Sequence, residues 1–541
     1  MNKVKIYEAE NEPVLGYKKG SKERLNVEKT YNEMFNSKVD IPLYIGSEEI
    51  LTNDRKNILP PHDHKNIVGT YSQANENHVN DAIKNLLENK KSWSETPWEK
   101  RCEIFLKAAD LISKDYRAKI TAGTMIGQSK NIFQAEIDAA CEFVDFLKFN
   151  VSYLTEIYNE QPIDGPGKSN HLEYRPLEGF VYSVTPFNFT AIGGNLCASA
   201  ALMGNVAIWK PASSAVLPCY YIMKLLIEAG LPSGVINFIP GSGSEIGDTI
   251  LLNHDLGGVH FTGSTKTFQH IWKTIGNNIE NYRSYPRIVG ETGGKDFCLA
   301  HNSANIDELA TAMIRGAFEF QGQKCSAMSR AYIPSSIWAE LKSKYLSEVA
   351  TIKVGSPRDF TNFMNAVIDE NAYNNIVDYI EFARQSSEAE IISGGVYDDS
   401  QGYFIEPTTI VTTDPNFKTM EEEIFGPVLS IFIYDEKDWK STIDLIDKTS
   451  PYALTGCVIG KDESAIKEAT ELLCHSAGNF YINDKPTGAV VGQQPFGGSR
   501  ASGTNDKAGS EYNLQRWISI RTIKETFDTP SDYRYPFLEE D

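Results

Sequence analysis

The spacing of the apolar positions changes along the chain, and the change separates regions of different predicted structure. Residues 1–75 show no sustained periodicity and are interrupted by several prolines, which predicts an irregular segment. Apolar residues then recur at helical spacing, and helices are predicted over 79–93, 98–120 and 131–158.

From residue 179 onward, short apolar runs alternate with helical patterns, which is typical of βαβ units and a parallel sheet. The first series has predicted strands at 179–184, 206–209, 235–239 and 258–261, with helices at 191–203, 216–228, 245–252 and 266–275. The second series runs from residue 287 to residue 490 and includes strands at 330–333, 428–433, 453–459 and 478–483, with a helix at 306–319.

Two segments outside these series favour extended structure. The turn-rich run 160–168 is followed by an extended run at 171–175, which together predict a hairpin. An alternating run at 517–523 predicts a last strand. The fold class that follows from the whole pattern is α/β.

Length and charge narrow the possible functions. A chain of 541 residues is too long for one compact core, so two lobes are expected. The net charge of −20 and the lack of a basic stripe argue against a nucleic-acid partner. No stretch approaches the roughly 18 to 20 apolar residues of a membrane helix. Residues 1–24 mix Lys with Glu and lack an apolar run, which predicts neither a signal nor a transit peptide.

The eight cysteines contain no C-x-x-C pair, so neither a metal site nor a redox dithiol is predicted. Scattered thiols with apolar neighbours fit a reducing compartment, and the chain is expected to be cytoplasmic. None of the nine histidines sits in a recognisable catalytic motif, and His62-Asp63-His64 is interpreted as a surface loop.

Candidate nucleotide-binding residues follow three strands of the first series. Gly243 lies in G-S-G-S-E-I-G, and Gly263 and Ser264 lie in F-T-G-S-T, each between a strand and a helix. Glycines at such turns let backbone N–H groups approach a phosphate, although an ordinary βα turn explains the first motif equally well. Lys210 ends another strand and could donate to ribose hydroxyls; the alternative is a solvated lysine.

Two candidate reactive residues, Cys325 and Glu291, belong to the second series, and a third, Asn188, belongs to the first. Cys325 lies in G-Q-K-C-S, where glycine and Lys324 could favour a nucleophilic thiolate; the alternative is a buried structural thiol. Glu291 ends a predicted strand before two glycines and could act as a general base, or simply form a salt bridge. Asn188, in T-P-F-N-F, could stabilise an oxyanion, or form an Asx turn.

Together these motifs resemble the aldehyde dehydrogenase superfamily. The resemblance runs in order through T-P-F-N-F, W-K-P-A, F-T-G-S-T, E-T-G-G-K, G-Q-K-C-S, E-E-I-F-G-P-V and P-F-G-G-S-R-A-S-G. It implies a Rossmann-type NAD-binding domain, an α/β catalytic domain, a β oligomerisation flap, and a homodimer or dimer-based oligomer. The expected boundaries are 1–159 and 177–290 for the NAD-binding domain, 291–490 for the catalytic domain, and 160–176 and 510–541 for the flap.

The resemblance also implies individual roles. Cys325 is expected to be the nucleophile, Asn188 and the Cys325 backbone N–H the oxyanion hole, and Glu291 the base for water. The implied NAD ligands are Lys210 for the adenosine ribose, Ser264 for the pyrophosphate, Glu423 for the nicotinamide ribose and Phe425 near the ring. Ser213 stands where NAD-specific members often carry an acid, which leaves the choice between NAD and NADP open.

A narrower resemblance concerns the substrate. The stretches 11–16, 133–149 and 482–508 are similar to the 1-pyrroline-5-carboxylate dehydrogenases, which implies oxidation of L-glutamate γ-semialdehyde to glutamate in proline catabolism. Backbone N–H groups of Gly488 and Ala489 could bind a carboxylate, with Ser326 donating to the same group. Ala489 replaces a serine common in the family.

The remaining substrate contacts follow from an apolar helix face and two aromatic residues. Glu142 on that face could pair with the substrate ammonium, or with a nearby Lys or Arg. Phe189 and Phe496 are expected to pack the aliphatic chain. Three alternatives stay open: another aldehyde such as succinic semialdehyde, acylation of coenzyme A, and a cysteine hydrolase or acyltransferase without hydride transfer.

Overall fold

Two seven-stranded sheets, each covered by helices, organise the chain. The structure, a computed structural model, describes residues 4–538; residues 1–3 and 539–541, on which the ends of the predicted N-terminal segment and flap fall, lie outside that range. The α-helices are α1 (Lys22–Asn36), α2 (Glu76–Glu95), α3 (Trp98–Leu111), α4 (Arg117–Gln128), α5 (Ile132–Ala135), α6 (Glu142–Asn159), α7 (Thr190–Leu202), α8 (Val216–Ala229), α9 (Gly243–Leu251), α10 (Thr265–Asn277), α11 (Ile306–Phe318), α12 (Ser335–Val349), α13 (Glu370–Gln385), α14 (Lys418–Glu421), α15 (Trp439–Thr449), α16 (Glu463–Leu472) and α17 (Glu511–Gln515).

The strands include both series predicted from the apolar pattern. They are β1 (Val39–Ile41), β2 (Leu43–Ile45), β3 (Glu48–Ile50), β4 (Arg55–Ile58), β5 (Gly69–Ser72), β6 (Lys168–Pro176), β7 (Phe180–Val184), β8 (Ala207–Lys210), β9 (Ile236–Phe238), β10 (Leu256–Thr262), β11 (Arg287–Glu291), β12 (Asp296–Ala300), β13 (Met328–Pro334), β14 (Ala389–Ser393), β15 (Tyr397–Asp398), β16 (Phe404–Ile405), β17 (Thr408–Thr412), β18 (Val428–Tyr434), β19 (Tyr452–Ala453), β20 (Thr455–Ile459), β21 (Asn479–Ile482), β22 (Ser499–Arg500) and β23 (Ile518–Thr526).

The first sheet has the order β11-β10-β7-β8-β9-β2-β3, and its five strands from β11 to β9 are parallel. Parallel strands joined by helices bring their carboxyl ends to one edge, where ligands bind in such sheets. Lys210 and Glu291 are the last residues of β8 and β11, and Gly263 follows β10. The predicted Rossmann-type arrangement is therefore confirmed in its strand pattern.

The second sheet has the order β14-β17-β18-β13-β12-β20-β21, with only β14 antiparallel to its neighbour. Successive side chains of a strand point to opposite faces, so each buried strand supplies two cores. Phe297 and Leu299 of β12 belong to one apolar cluster, whereas Cys298 and Ala300 belong to the other. This sheet is thus buried on both faces.

Two predictions for the less regular regions are wrong. Residues 1–75 contain α1 and the strands β1 to β5, although their short runs and prolines hide any period. The run 160–176 is not a hairpin: β6 pairs antiparallel with β23, so the partner of 171–175 lies almost 350 residues later in the chain. Short-range turn patterns cannot reveal a partner that is so distant in sequence.

Two of the long predicted helices contain irregular turns, and residues of the second turn line the cavity described below. A π-helical segment, Ile112–Tyr116, separates α3 from α4, and a second one, Glu136–Cys141, separates α5 from α6. An added residue in a helical turn rotates the face that follows, and π turns often occur at functional sites. The second segment therefore sets the direction of Glu142 at the start of α6.

Within residues 4–538, no helix combines the length and the apolar content that a membrane crossing requires.

Candidate active site

A cavity of about 380 Å³ lies where residues from the two sheets meet. It brings together the predicted nucleophile, the predicted base and all six predicted substrate contacts, although these residues are spread over more than 350 positions. Its lining includes Cys325, Glu291, Glu142, Phe189, Ser326, Gly488, Ala489 and Phe496.

Cys325 follows a turn with unusual backbone geometry. The two residues that open it, Phe320–Gln321, adopt left-handed conformations with φ of 51° and 55°. Such angles are uncommon for residues with a side chain and persist only where the surroundings hold them. The Gln323 side chain helps to hold the turn, because its Oε1 accepts a hydrogen bond from Ile368 N at 2.9 Å. Cys325 is partly accessible, unlike six of the other seven cysteines.

The surroundings of the Cys325 sulfur disfavour its thiolate form. Burial raises the pKa of this thiol well above its ordinary value. Nearby carboxylates raise the pKa further, and they belong to Asp296, Glu291 and Glu423.

Contrary to the expectation from the sequence, Lys324 does not bring the net pKa of the Cys325 thiol below its ordinary value. Its ammonium lies 3.6 Å from the carboxylate of Glu319. That charge is therefore partly offset, and the carboxylates around Cys325 outweigh it. That Lys324 is adjacent to Cys325 in sequence therefore does not show that its charge faces the sulfur.

Asn188 lies beside the Cys325 turn. It is 4% exposed and donates from Nδ2 to the carbonyl oxygen of Gln323 at 3.1 Å. It lies between β7 and the start of α7, so both neighbouring elements fix its backbone. Its amide hydrogen bond crosses to the other sheet's loop, so it does not form the Asx turn considered from sequence.

Glu291 ends β11 with its carboxyl turned into the cavity. Its Oε2 is buried and has no hydrogen-bond partner among residues 4–538, and no ion pair to it is found there either. Burial raises the pKa of this carboxyl well above its ordinary range, although the Gly498 backbone and Lys507 oppose the shift. An unpaired carboxyl that takes up a proton readily is suited to a general base.

Glu142 occupies another part of the cavity lining. Its Oε2 is buried and also lacks a hydrogen-bond partner in the described chain. Burial and the Asp138 carboxylate raise its pKa well above the usual range. The alternative of a pair with Lys or Arg is not found among the described residues: Lys130, whose charge acts on Glu142, donates instead to Asp138 Oδ2 at 2.7 Å. The missing partner leaves room for a cation from a ligand.

A second polar part of the cavity lining consists of two hydroxyl groups and a backbone turn. Ser326 Oγ and Thr487 Oγ1 lie 2.8 Å apart. Gly488 has a φ of 97°, a conformation that only glycine adopts readily, and Ala489 follows it in the cavity wall. Lys485 Nζ donates to the carbonyl oxygen of Thr487 at 3.2 Å. The turn therefore presents polar groups that are suited to a carboxylate.

Lys210 and Gly243 lie together, as the order of the strands requires. A Cβ on Gly243 would lie 3.6 Å from Lys210 Cε. Burial lowers the pKa of Lys210 to about 8, and its ammonium has only the Pro211 carbonyl oxygen nearby, at 3.5 Å. It is therefore not the solvated lysine considered from sequence. Ser213 is exposed and begins a short 3₁₀ turn.

Gly263 and Ser264 form the start of α10. Gly263 N donates to the carbonyl oxygen of Glu291 at 3.2 Å, which ties this turn to the catalytic strand. The Ser264 side chain caps the helix by accepting from Thr267 N at 3.3 Å, and it is exposed. The free N–H groups of a helix start favour an anion such as a phosphate.

Glu423 and Phe425 extend the nucleotide side toward Cys325. Glu423 accepts from Gly294 N at 2.8 Å, and burial raises its pKa to about 7. Phe425 has a left-handed φ of 57°, and its ring meets that of Phe187 edge-on with centroids 5.7 Å apart. Since Phe187 precedes Asn188, this ring contact packs Phe425 against the segment that carries Asn188.

The interpretation of the sequence missed several charged residues around this site. Lys295 and Asp296 stand next to each other in the buried start of β12; burial lowers the pKa of Lys295 to about 7 and raises that of Asp296 well above its usual range. Lys130 is fully buried. Lys295 and Asp296 stand directly before the apolar run 297–300, where a buried charge is costly unless it has a role, whereas the polar neighbours of Lys130 give no such signal.

Comparison with known proteins gives a family. The model of the Aldehyde dehydrogenase family matches residues 51–523. The Delta-1-pyrroline-5-carboxylate dehydrogenase of Dictyostelium discoideum is 52% identical over 98% of this chain and 95% of its own length, and the Homo sapiens enzyme of that name is 46% identical over 98% and 94%.

Solved structures agree with these relatives. The crystal structure of the Delta-pyrroline-5-carboxylate dehydrogenase from Mycobacterium tuberculosis bound with NAD superimposes with a TM-score of 0.96 at 47% identity, covering 100% of this chain and 99% of the other. The predicted fold class, with its two α/β units, is confirmed. This chain belongs to the aldehyde dehydrogenase family.

Proposed function

We propose that this chain is an NAD-dependent dehydrogenase that oxidises L-glutamate γ-semialdehyde to L-glutamate through a thioester on Cys325. The observation that supports the proposal is the composition of the 380 Å³ cavity, whose lining includes a thiol, a carboxyl with one unbonded oxygen and a polar turn. The semialdehyde arises when 1-pyrroline-5-carboxylate opens by hydrolysis, so the reaction is a step of proline catabolism.

The cavity fits both ends of an amino acid. The unpaired Oε2 of Glu142 is suited to the substrate ammonium, because a buried carboxylate is stabilised by a bound cation. The N–H groups of Gly488 and Ala489, with Ser326, are suited to the substrate carboxylate. Phe189 and Phe496 line the wall along which the aliphatic chain would lie.

The residues on the nucleotide side fit NAD. The Lys210 ammonium is buried with one weak acceptor, which leaves it free to donate to ribose hydroxyls. Gly243, Gly263 and Ser264 offer backbone N–H groups for a pyrophosphate, and Glu423 and Phe425 would hold the nicotinamide riboside. Bound NAD accepts the hydride. Ser213 supplies no acid, so the preference for NAD over NADP needs measurement.

The chemistry assigned to the chain's own residues has two stages. The Cys325 sulfur, which is partly accessible, gives its proton to solvent water and bonds to the aldehyde carbon, and the Asn188 amide stabilises the oxyanion that forms there. Loss of hydride from that carbon gives the thioester. Glu291 then takes a proton from water, which attacks the thioester carbon, and the carbon–sulfur bond breaks to release the acid and restore the sulfur.

A hydrolase or acyltransferase without hydride transfer is the less favoured reading. It would require a histidine that activates the thiol. His260 lines the cavity, but its Nδ1 bonds to the carbonyl oxygen of Leu196 at 2.9 Å, and burial lowers its pKa to about 4. Among residues 4–538 no histidine hydrogen-bonds to the Cys325 sulfur.

The proposed domain boundaries follow the two sheets. Residues 1–159 and 177–290 would form the NAD-binding domain, residues 291–490 the catalytic domain, and residues 160–176 and 510–541 the flap. The flap's ribbon of β6 and β23 has only two strands and exposes Ile520 and Phe527. Isolated two-stranded ribbons are marginally stable, so we propose that a second copy of the chain covers it in a homodimer or dimer-based oligomer.

Sedimentation tests the assembly. The wild-type protein should sediment as a dimer or larger species, and the Ile520→Asp variant should sediment further toward the monomer. The matched change Leu252→Asp, at another exposed apolar residue, should leave the sedimentation unchanged. A wild-type protein that sediments as a monomer at micromolar concentration would contradict the proposal.

The compartment is proposed to be the cytoplasm, on the evidence of eight unpaired thiols. The names of the Dictyostelium discoideum and Homo sapiens relatives include the word mitochondrial, whereas the name of the Agaricus bisporus relative does not. Fractionation of the source cells with antibody detection decides between the two: recovery in the mitochondrial fraction would refute the cytoplasmic assignment.

The experiment that tests the function is a substrate panel. NADH formation is followed with 1-pyrroline-5-carboxylate, succinic semialdehyde and acetaldehyde, each with NAD or NADP and with or without coenzyme A. The proposal expects the highest kcat/KM for 1-pyrroline-5-carboxylate with NAD, without a need for coenzyme A. A higher value for succinic semialdehyde, or product formed only with coenzyme A, would refute it.

A further inference from the structure

A buried lysine lies behind the wall of the cavity. Lys130 is 0% exposed and does not line the cavity, although Phe189, which it contacts, does. Its Nζ donates to Asp138 Oδ2 at 2.7 Å and has no other hydrogen-bond partner among the described residues. The ammonium thus has two hydrogens left that require another kind of acceptor.

Two aromatic rings fill that role. Lys130 Nζ lies 4.5 Å from the ring centroid of Phe189 and 4.3 Å from that of Phe320. A desolvated ammonium is attracted to the negative face of an aromatic ring. Lys130 therefore connects a ring of the substrate-facing wall with a ring at the turn before Cys325.

The Phe320 side of this connection is strained. Phe320 and Gln321 both have left-handed backbone angles, so their surroundings must hold the turn. The residue before Lys130 contributes: the carbonyl oxygen of Ser129 accepts from Gln321 Nε2 at 3.2 Å. The short segment after α4 thus contacts the turn through its backbone and through the lysine side chain.

The Phe189 side is held by the same segment. Gln128 Nε2 donates to Thr190 Oγ1 at 2.8 Å, one residue beyond Phe189. On the other side of Phe189, Asn188 Nδ2 donates to the carbonyl oxygen of Gln323. The wall and the Cys325 turn therefore meet at the end of α4.

We propose that Lys130 is a positioning residue that couples the substrate-facing ring of Phe189 to the turn that presents Cys325. It touches neither the substrate nor the cofactor. Through its two ring contacts, a substrate that fits against Phe189 stabilises the turn in the geometry in which the sulfur reacts. This role deepens the proposed function and rests on it.

Removal of Lys130 alone would confuse the test, because Asp138 would become an unpaired buried carboxylate. The working background is therefore Lys130→Met with Asp138→Asn, in which the pair is replaced by neutral side chains. The matched background that keeps the ammonium between the rings is the unchanged protein, in which Asp138 still pairs with it. Melting temperatures establish that both backgrounds fold.

The measurement is a double-mutant cycle of Phe189→Leu and Phe320→Leu in each background, with kcat/KM for glutamate semialdehyde as the readout. Where Lys130 is present, the loss of kcat/KM in the double variant should differ by at least about threefold from the product of the two single losses, which is the scale found for directly coupled residues. In the Lys130→Met background they should multiply as independent changes. A lysine that only stabilises the fold would not alter this coupling.

The outcomes separate the two proposals. Equal coupling in both backgrounds would overturn the role of Lys130, provided that the unchanged enzyme oxidises the semialdehyde. Failure of the unchanged enzyme to oxidise it would overturn the proposed function itself. Lys90→Met serves as a further control: Lys90 donates to the carbonyl oxygen of Leu177 at 2.7 Å, outside the cavity, and its loss should leave the coupling unchanged.

Discussion

The substrate cavity and the nucleotide side use opposite means of binding. In the cavity, the Oε2 atoms of Glu142 and Glu291 are buried without hydrogen-bond partners among the described residues, and burial raises the pKa of both carboxyls. On the nucleotide side, Ser213 and Ser264 are exposed, and the turns offer backbone N–H groups.

The difference follows from the size of each ligand. A small charged substrate that is fully enclosed needs a partner inside the protein for each of its charges. Without the substrate, that buried partner lacks a hydrogen bond, which lowers the stability of the folded protein. A dinucleotide lies along a sheet edge and is held by many amides of modest strength. Single substitutions should therefore cost more in the cavity than on the nucleotide side.

The largest effect is expected at the sulfur. Cys325→Ala should lower kcat for NADH formation by at least about 1,000-fold, because no other group can form the covalent intermediate. Binding of NAD, measured by calorimetry, should persist. Cys474→Ala, which removes an exposed thiol, should leave turnover unchanged. Substantial turnover by the Cys325 variant would refute a thioester at this residue.

A smaller effect that depends on the substrate is expected at Glu142. Glu142→Gln should lower kcat/KM for glutamate semialdehyde by about 30- to 100-fold, since a charged hydrogen bond to the ammonium is lost. Succinic semialdehyde lacks that ammonium, so its kcat/KM should fall much less. Glu156→Gln, an exposed change on the same helix, is the control. An equal loss for both aldehydes would contradict the assignment.

The nucleotide side should respond more weakly. Lys210→Met should raise KM for NAD by about tenfold, as expected when one charge-assisted hydrogen bond to a hydroxyl is removed. The KM for the aldehyde should stay near its original value. Lys224→Met changes an exposed lysine of α8 and should alter neither constant. A loss as large as that of the Glu142 variant would break the contrast between the two regions.

The smallest effect concerns pH. The raised pKa of the Cys325 thiol means that, without NAD, alkylation by iodoacetamide should rise with pH and reach half its maximum above about 8.5, the ordinary value. Glu291→Gln removes one carboxylate that opposes ionisation, so its midpoint should move to lower pH. Both proteins carry Cys474→Ala to remove background labelling. A midpoint below the ordinary value would contradict the electrostatics described for Cys325.

Much of this site could be predicted from sequence because its parts follow strands. Lys210, Gly263 and Glu291 occupy the ends of β8, β10 and β11, and parallel strands must bring these ends to one edge. The residues of the cavity wall were predicted through the family resemblance, and the structure places all six in one cavity.

The rest depends on contacts between distant parts of the chain. The net pKa shift of the Cys325 thiol could not be predicted from Lys324, because burial and carboxylates from distant segments determine it, and Lys324 lies near Glu319. The partner of β6 lies in β23, and the role of Lys130 depends on rings of Phe189 and Phe320 from two other segments. No local pattern reports such pairings.

The most direct test of the central claim is mass spectrometry of the acyl-enzyme. Glu291→Gln should slow thioester hydrolysis, so the enzyme quenched in acid after brief mixing with NAD and 1-pyrroline-5-carboxylate should carry one glutamyl group. The account predicts that group on the peptide containing Cys325. An adduct on any of the other seven cysteines, or NADH formed with no acylated cysteine, would contradict it.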